Sequence, residues 1–270
     1  MKATVLIDNL TSGALAAEWG LAIHIDYDGH KILLDTGATE RFAQNAGKLG
    51  IDLNAVELGV LSHAHYDHAG GLAAFFARNT YAPIYLRQGA KENCYGKRWI
   101  FHKYIGIPHG FLRKYADRFR YTGSHEELLP GVHALAHHTD GLKVFGEKNH
   151  LYVRQGRRFL PDAFAHEQTL VFETEKGLAV FSGCSHGGVD NIIKEVLDVF
   201  PGRRICAVVG GFHLFHTSQE DVRALARRLR EIGAEQIYTG HCTGQAAYQA
   251  LREELGEQAA QLHTGMEMLI

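Results

Sequence analysis

Leu61-Ser62-His63-Ala64-His65-Tyr66-Asp67-His68-Ala69-Gly70-Gly71-Leu72 is the stretch whose reading decides the fold. Four metal-capable side chains fall within six positions. They follow the largely apolar run Val56 to Leu61, which predicts a buried strand, and precede a helix pattern at Leu72, Phe75 and Phe76. Strand, ligand-rich loop and helix in that order are how an α/β sheet presents chemistry at the carboxyl end of a strand.

The spacing has a physical meaning. His63 and His65 are two apart in a chain leaving a strand, so both rings can face one side. Asp67 and His68 come a turn later and can face a second metal a few ångströms from the first. Imidazole is the commonest neutral nitrogen ligand for zinc and also suits iron and nickel. Gly70 and Gly71 let the backbone pass close beneath such a site. Two histidines alone would fit a polar loop, but the full His-x-His-x-Asp-His spacing after a buried strand favours a metal centre.

The bulk composition agrees with a folded enzyme-sized chain. At 270 residues, 46% hydrophobic and 21% charged, it can bury a sizeable core. A net charge of −2 and a pI near 6.8 leave no electrostatic footprint for nucleic acid. Four cysteines (Cys94, Cys184, Cys206, Cys242) lack any Cys-x-x-Cys spacing, so the spacing marks neither a disulfide framework nor a zinc knuckle. No apolar run is long enough to span a bilayer, and Met1 leads straight into a strand pattern; a cytoplasmic protein is expected.

Further strands are expected at Ala3 to Ile7, Leu21 to Tyr27, Lys31 to Leu34, Val56 to Leu61 and Pro83 to Leu86, with helices over 39–49 and about 70–79. Regular alternation weakens from about 88 to 165, where aromatic and basic residues interleave between Tyr95 and Tyr121. This segment reads as a lid-like insertion over an anionic, ring-containing substrate, or as amphipathic surface packed on the domain. Two strands, Thr169 to Glu173 and Leu178 to Phe181, then lead into Ser182-Gly183-Cys184-Ser185-His186-Gly187-Gly188 and a helix pattern. That repeats the arrangement around His63. A strand from Arg204 to Val209 opens into Gly210-Gly211-Phe212-His213-Leu214, and Gln236 to Thr239 into Gly240-His241-Cys242-Thr243-Gly244, with an amphipathic helix over Asp221 to Arg230 between them.

His63-Ala64-His65-Tyr66-Asp67-His68 resembles the HxHxDH signature of the metallo-β-lactamase superfamily, and the resemblance runs along the whole chain. The Gly-Cys-Ser-His-x-Gly, Gly-Gly-Phe-His-Leu and Thr-Gly-His-Cys-Thr-Gly runs are similar to its branch of 7,8-dihydropterin-6-methyl-4-(β-D-ribofuranosyl)aminobenzene 5′-phosphate synthase-like proteins. The resemblance implies an α/β fold, a single αββα sandwich over residues 1–270 of two similar halves, with the site at one edge between the sheets. It implies two divalent metals, zinc first, with manganese or iron as alternatives. His63, His65 and His186 would hold one and Asp67, His68 and His241 the other, the pair sharing a hydroxide. Asp67 would also orient that nucleophile, and His213 would contact substrate or leaving group.

Several positions stay open on the sequence. Cys184 stands where many relatives carry a bridging Asp, and is either a ligand or a buried small residue. Asp35, after a strand end, reads as a carboxylate orienting a ligating histidine, or as a helix N-cap. His137 and His138 are reserve metal candidates, and His216 is a weaker one. Trp19 stands where the branch carries His, and either meets substrate or packs over the sheet. The function expected is a hydrolase acting on an anionic phosphoester or cyclic ester. A synthase-like transferase and a non-catalytic binding or sensing protein are the alternatives. Neither a nucleic-acid nor a membrane partner is expected, and the oligomeric state is left open.

Overall fold

The computed structural model describes residues 1–270. Two seven-stranded sheets face each other. The first runs, in spatial order, Glu267–Leu269, Lys2–Ile7, Ala22–Tyr27, His30–Leu34, Leu58–Val60, Ile84–Arg87 and Phe119–Thr122. The second runs Ala259–Gln261, Gln236–Thr239, Ile205–Gly210, Gly177–Ser182, Gln168–Thr174, Val132–Ala136 and His125–Leu129.

Three apolar layers hold these sheets, and they follow from the two-residue period of a strand buried on both faces. Ile32 and Leu34 join Val5, Ile23, Phe172, Phe181 and Val209 between the sheets. Leu33, from the same strand, turns outward to Phe42 of helix Arg41–Lys48 and Phe75 of helix Leu72–Arg78. On the far side, Val180 and Val208 meet Ile192, Val222 and Leu251 from helices Val189–Val199, Gln219–Ile232 and Gln245–Leu255. Helix, sheet, sheet, helix is therefore the layer order, the α/β sandwich expected.

In each half an antiparallel hairpin leads into parallel strands. His30–Leu34 pairs in parallel with Leu58–Val60, and that with Ile84–Arg87. Gly177–Ser182 pairs in parallel with Ile205–Gly210, and that with Gln236–Thr239. Parallel strands end at the same edge, so the loops after Leu34, Val60, Ser182, Gly210 and Thr239 gather there.

The expected helices over 39–49 and 70–79 are present as Arg41–Lys48 and Leu72–Arg78, each slightly shorter. A one-turn helix, Tyr66–Ala69, also forms inside the His63 loop. The stretch 88–165 is not one continuous excursion. Cys94–Arg98, Phe101–Tyr104, Leu151–Gln155 and Arg158–Pro161 form a separate four-stranded antiparallel sheet. Phe119–Thr122, His125–Leu129 and Val132–Ala136 instead extend the two large sheets. No helix is long and apolar enough to cross a membrane.

Two local features fix the His63 loop. A Cβ at Gly71 would collide with the carbonyl oxygen of Thr36, and one at Gly70 with that of Ala38, so only glycine lets the loop lie this close to its neighbour. The buried Gln168 side chain ties the sheets together: its amide donates to the carbonyls of Leu61 (3.0 Å) and Tyr85 (3.2 Å) and accepts from the Thr122 hydroxyl (2.7 Å). Gln168→Leu leaves those groups unpaired. It should lower stability by about 1–3 kcal/mol, read as a lower urea midpoint at unchanged slope.

Candidate metal centre

The strand Leu58–Val60 releases the chain into an extended loop carrying His63 and His65; His65 caps the turn Tyr66–Ala69, which carries Asp67 and His68. All four side chains are buried, as are His186 and His241 from the other half. Burial of so many polar groups is costly unless each is satisfied.

His63, His65 and His186 form the first cluster. One donor atom from each lies within 4.8 Å of the others. The ring centroids are 4.6 Å apart for His63 and His65, and 5.0 Å for His63 and His186. The Nε2 atoms of all three are buried and without a hydrogen-bond partner. The far nitrogens are partly accounted for. His63 Nδ1 lies 2.9 Å from the Ser62 hydroxyl, and His186 Nδ1 lies 2.8 Å from Glu167 Oε1. Phe164 stacks on the His186 ring at 4.2 Å. Burial and the neighbouring imidazoles hold His63 and His65 well below the usual histidine pKa, so both are neutral. Neutral, unpaired imidazole nitrogens aimed together are what a divalent metal such as zinc takes up.

The second cluster gathers His68, His241, Asp67 and Cys184. His68 Nε2 is 3.2 Å from His241 Nε2 and 3.3 Å from Cys184 Sγ, and His241 Nε2 is 3.4 Å from Asp67 Oδ2. Two ligand nitrogens tetrahedrally placed on one zinc lie roughly 3.3 Å apart, so these spans suit a shared ion. Burial would raise the Asp67 pKa, but the His241 hydrogen bond and the His68 charge hold it well below the carboxylate range. The same pairing outweighs burial at His241 and lifts it to about 9. Cys184 also groups with His63 and His68, and with His186 and His213, so it stands where the clusters meet.

A ring of partners orients these side chains. Asp35 Oδ2 meets His68 Nδ1 at 2.7 Å, while its carboxylate accepts the Ser62 N–H and hydroxyl. It caps no helix; Glu40 takes that place before Arg41–Lys48. Asn9 Oδ1 meets His241 Nδ1 at 3.1 Å, and the Trp19 indole donates to Asp67 Oδ2 at 2.8 Å. Trp19 does not pack over the sheet: it is 47% exposed, with its edge against Phe215 and its ring tilted over His241. Asp35, Ser185, His213 and His241 all have left-handed backbones, φ between 48° and 59°.

His213 joins the centre from its edge. Its ring lies 4.8 Å from that of His186, and its Nδ1 is buried without a partner. His216 is exposed and stays outside, lining a cavity of about 370 Å³ with Lys148, His150 and His213. His137 is engaged elsewhere, between Glu195 (3.1 Å) and the Thr169 hydroxyl (2.9 Å), and His138 is exposed. Glu167, Asn9 and Ser62 are the site residues that sequence reasoning passed over. The His63-containing motif has Ser62 beside it; Glu167 and Asn9 carry no motif of their own.

A family model described as "Metallo-beta-lactamase superfamily" matches residues 20–241. The chain is 30% identical over 262 residues to the 7,8-dihydropterin-6-methyl-4-(beta-D-ribofuranosyl)-aminobenzene-5′-phosphate synthase of Methanocaldococcus jannaschii, covering 92% of this chain and 89% of that one. Among solved structures it is similar to Tm1679, described as a metal-dependent hydrolase of the beta-lactamase superfamily. That likeness has a TM-score of 0.87 and 29% identity, covering 100% of this chain and 99% of that one. A diphosphatase of the PhnP family shares the fold at a TM-score of 0.53 and 14% identity, with coverage of 100% and 97%. With matching motifs, sandwich and full-length likeness together, the chain belongs to the metallo-β-lactamase superfamily.

Proposed function

We propose that this protein is a metal-dependent hydrolase acting on an anionic small molecule, a phosphoester or a cyclic ester. The observation that carries the reading is the pair of adjoining sets of donors: three imidazoles with unpartnered nitrogens, and beside them two imidazoles, a carboxylate and a thiol linked by spans of 3.2–3.4 Å. His63, His65 and His186 hold one divalent ion, zinc by donor type; Asp67, His68 and His241 hold a second, with Cys184 at the junction. Such a pair of ions supplies Lewis acidity and an activated water at neutral pH.

The remaining residues receive the substrate. Lys148, His150 and His216 around the 370 Å³ cavity offer cationic and donor groups to an anionic moiety. His213, between that cavity and His186, holds a phosphoryl or carbonyl oxygen or returns a proton to the leaving group. On the other side, Trp19, Phe215 and Tyr248 line a cavity of about 290 Å³ that ends at His241 and suits a flat ring. The Trp19 indole also holds Asp67 Oδ2 in place.

This aromatic cavity and the 30%-identical synthase relative favour a second reading, a transferase joining a ring-bearing donor to an aminobenzene phosphate. Mass spectrometry of products with and without an aromatic amine acceptor separates the two. Under the hydrolase reading the products are the same in both reactions.

His241→Ala should remove one ion per chain by elemental analysis and abolish phosphoester turnover; full turnover in that variant would refute the site. Glu167→Gln keeps the shape but weakens the hold on His186, and should lower metal affinity about 10–100-fold in competition with a chelator. Metal uptake should also depend on pH. His241 is raised to about 9 by Asp67, so the pair stabilises the metal-free fold below the ordinary histidine pKa and loses that contribution as pH rises through about 9. A protonated His241 cannot ligate, so affinity at the second cluster should climb across that window. Calorimetric titration with zinc in buffers of increasing pH checks it.

A further inference from the structure

Outside this centre a second set of metal-capable side chains converges, from parts of the chain with no common motif. Cys94 opens the strand Cys94–Arg98, and Asp162 follows Arg158–Pro161; both strands belong to the four-stranded sheet. His166 precedes the strand Gln168–Thr174 of the second large sheet. Cys94, Asp162 and His166 are at most 2% exposed, and one donor atom from each lies within 4.8 Å of the others and of a donor atom on His65.

The group is already aimed. Asp162 Oδ1 accepts the Phe164 N–H at 2.7 Å, and His166 Nδ1 accepts the Ala64 N–H at 3.2 Å. These backbone bonds fix the carboxylate and the ring so that Oδ2 and Nε2 meet at 3.0 Å. That span is close to the roughly 3.3 Å between two light ligand atoms on one tetrahedral zinc. A cavity of about 440 Å³, lined by Asp162 and His166 together with Lys91, Asn93 and Gln155, gives access.

We propose that Cys94, Asp162 and His166, packed beside the His65 ring, form a further three-ligand divalent-cation site. Thiolate, carboxylate and imidazole together select zinc over magnesium or calcium. Thiolate and carboxylate carry two negative charges, which a divalent ion neutralises in an interior where unpaired charge is costly. The ion fastens the four-stranded sheet to the loop that carries His63, His65, Asp67 and His68. The site does not rest on the hydrolase reading, since none of Cys94, Asp162 and His166 belongs to the two clusters described above.

The test compares zinc content in the full chain after dialysis against zinc alone. Cys94→Ser and Asp162→Asn should each bind one ion fewer than the unsubstituted chain, and His241→Ala should lose a different one, so that the double variant loses two. Circular dichroism verifies that each variant is folded, and Asp162→Asn stands in if Cys94→Ser is not. In the cobalt-loaded chain, Cys94→Ser should lose part of the thiolate-to-cobalt absorption, including the part that survives in Cys184→Ser. Unchanged zinc content in folded Cys94→Ser or Asp162→Asn, whatever the total, overturns the site and leaves the cluster as a hydrogen-bonded support for the loop at Ala64. A loss in these variants alongside no loss in His241→Ala would uphold this site and refute the second-cluster ion instead.

Discussion

The centre depends first on one buried carboxylate. Asp35 accepts the Ser62 N–H and the Ser62 hydroxyl, and it meets His68 Nδ1. Ser62 in turn touches His63 Nδ1. A single anion at the end of one strand therefore sets the rings of a histidine in each cluster. Its oxygens are charge-assisted acceptors in a site closed to water, where such bonds are strongest and their loss most costly. The loop after Val60 follows the Asp35 carboxylate as much as its own backbone preferences.

The other half uses the same device with different groups. Glu167 holds His186, and burial would lift its carboxyl, yet the His186 charge and hydrogen bond bring it down to about 2. Asn9, an uncharged amide, holds His241. Each oriented ring is thereby fixed in tautomer and in angle before any ligand arrives, which reduces the reorganisation that binding must meet. The asymmetry between a carboxylate partner for His68 and an amide for His241 leaves His241 the ring whose charge answers most directly to Asp67.

What was legible in the sequence was whatever is local. The His63–His68 spacing, the Gly-Cys-Ser-His run and the strand-then-ligand repetition are short-range patterns, and the helix boundaries they imply differ from those observed by a residue or two at each end. The partners of the ligands were less legible. Glu167 directly precedes a strand, and Asn9 sits in what reads as a simple strand end; each becomes visible only when the sheets face each other. The 88–165 stretch hid three strands of the large sheets: Phe119–Thr122 and His125–Leu129 are edge strands without clean alternation, and Val132–Ala136 is a short, fully buried run with no alternation to read. Cysteine spacing was equally silent about Cys94, whose neighbours Asp162 and His166 come from some seventy residues further on.

Six of the eight non-glycine residues with left-handed backbone are Asp35, His150, Phe164, Ser185, His213 and His241, and each lies in or against the candidate metal centre. Held this way, a residue with a side chain costs on the order of 1–3 kcal/mol, which glycine would not. At Asp35 the bonds to Ser62 and His68 offset that cost, so glycine there would relieve the torsion and lose the anchor of both clusters. At His213 and His241 glycine would relieve the torsion and take the imidazole away with it.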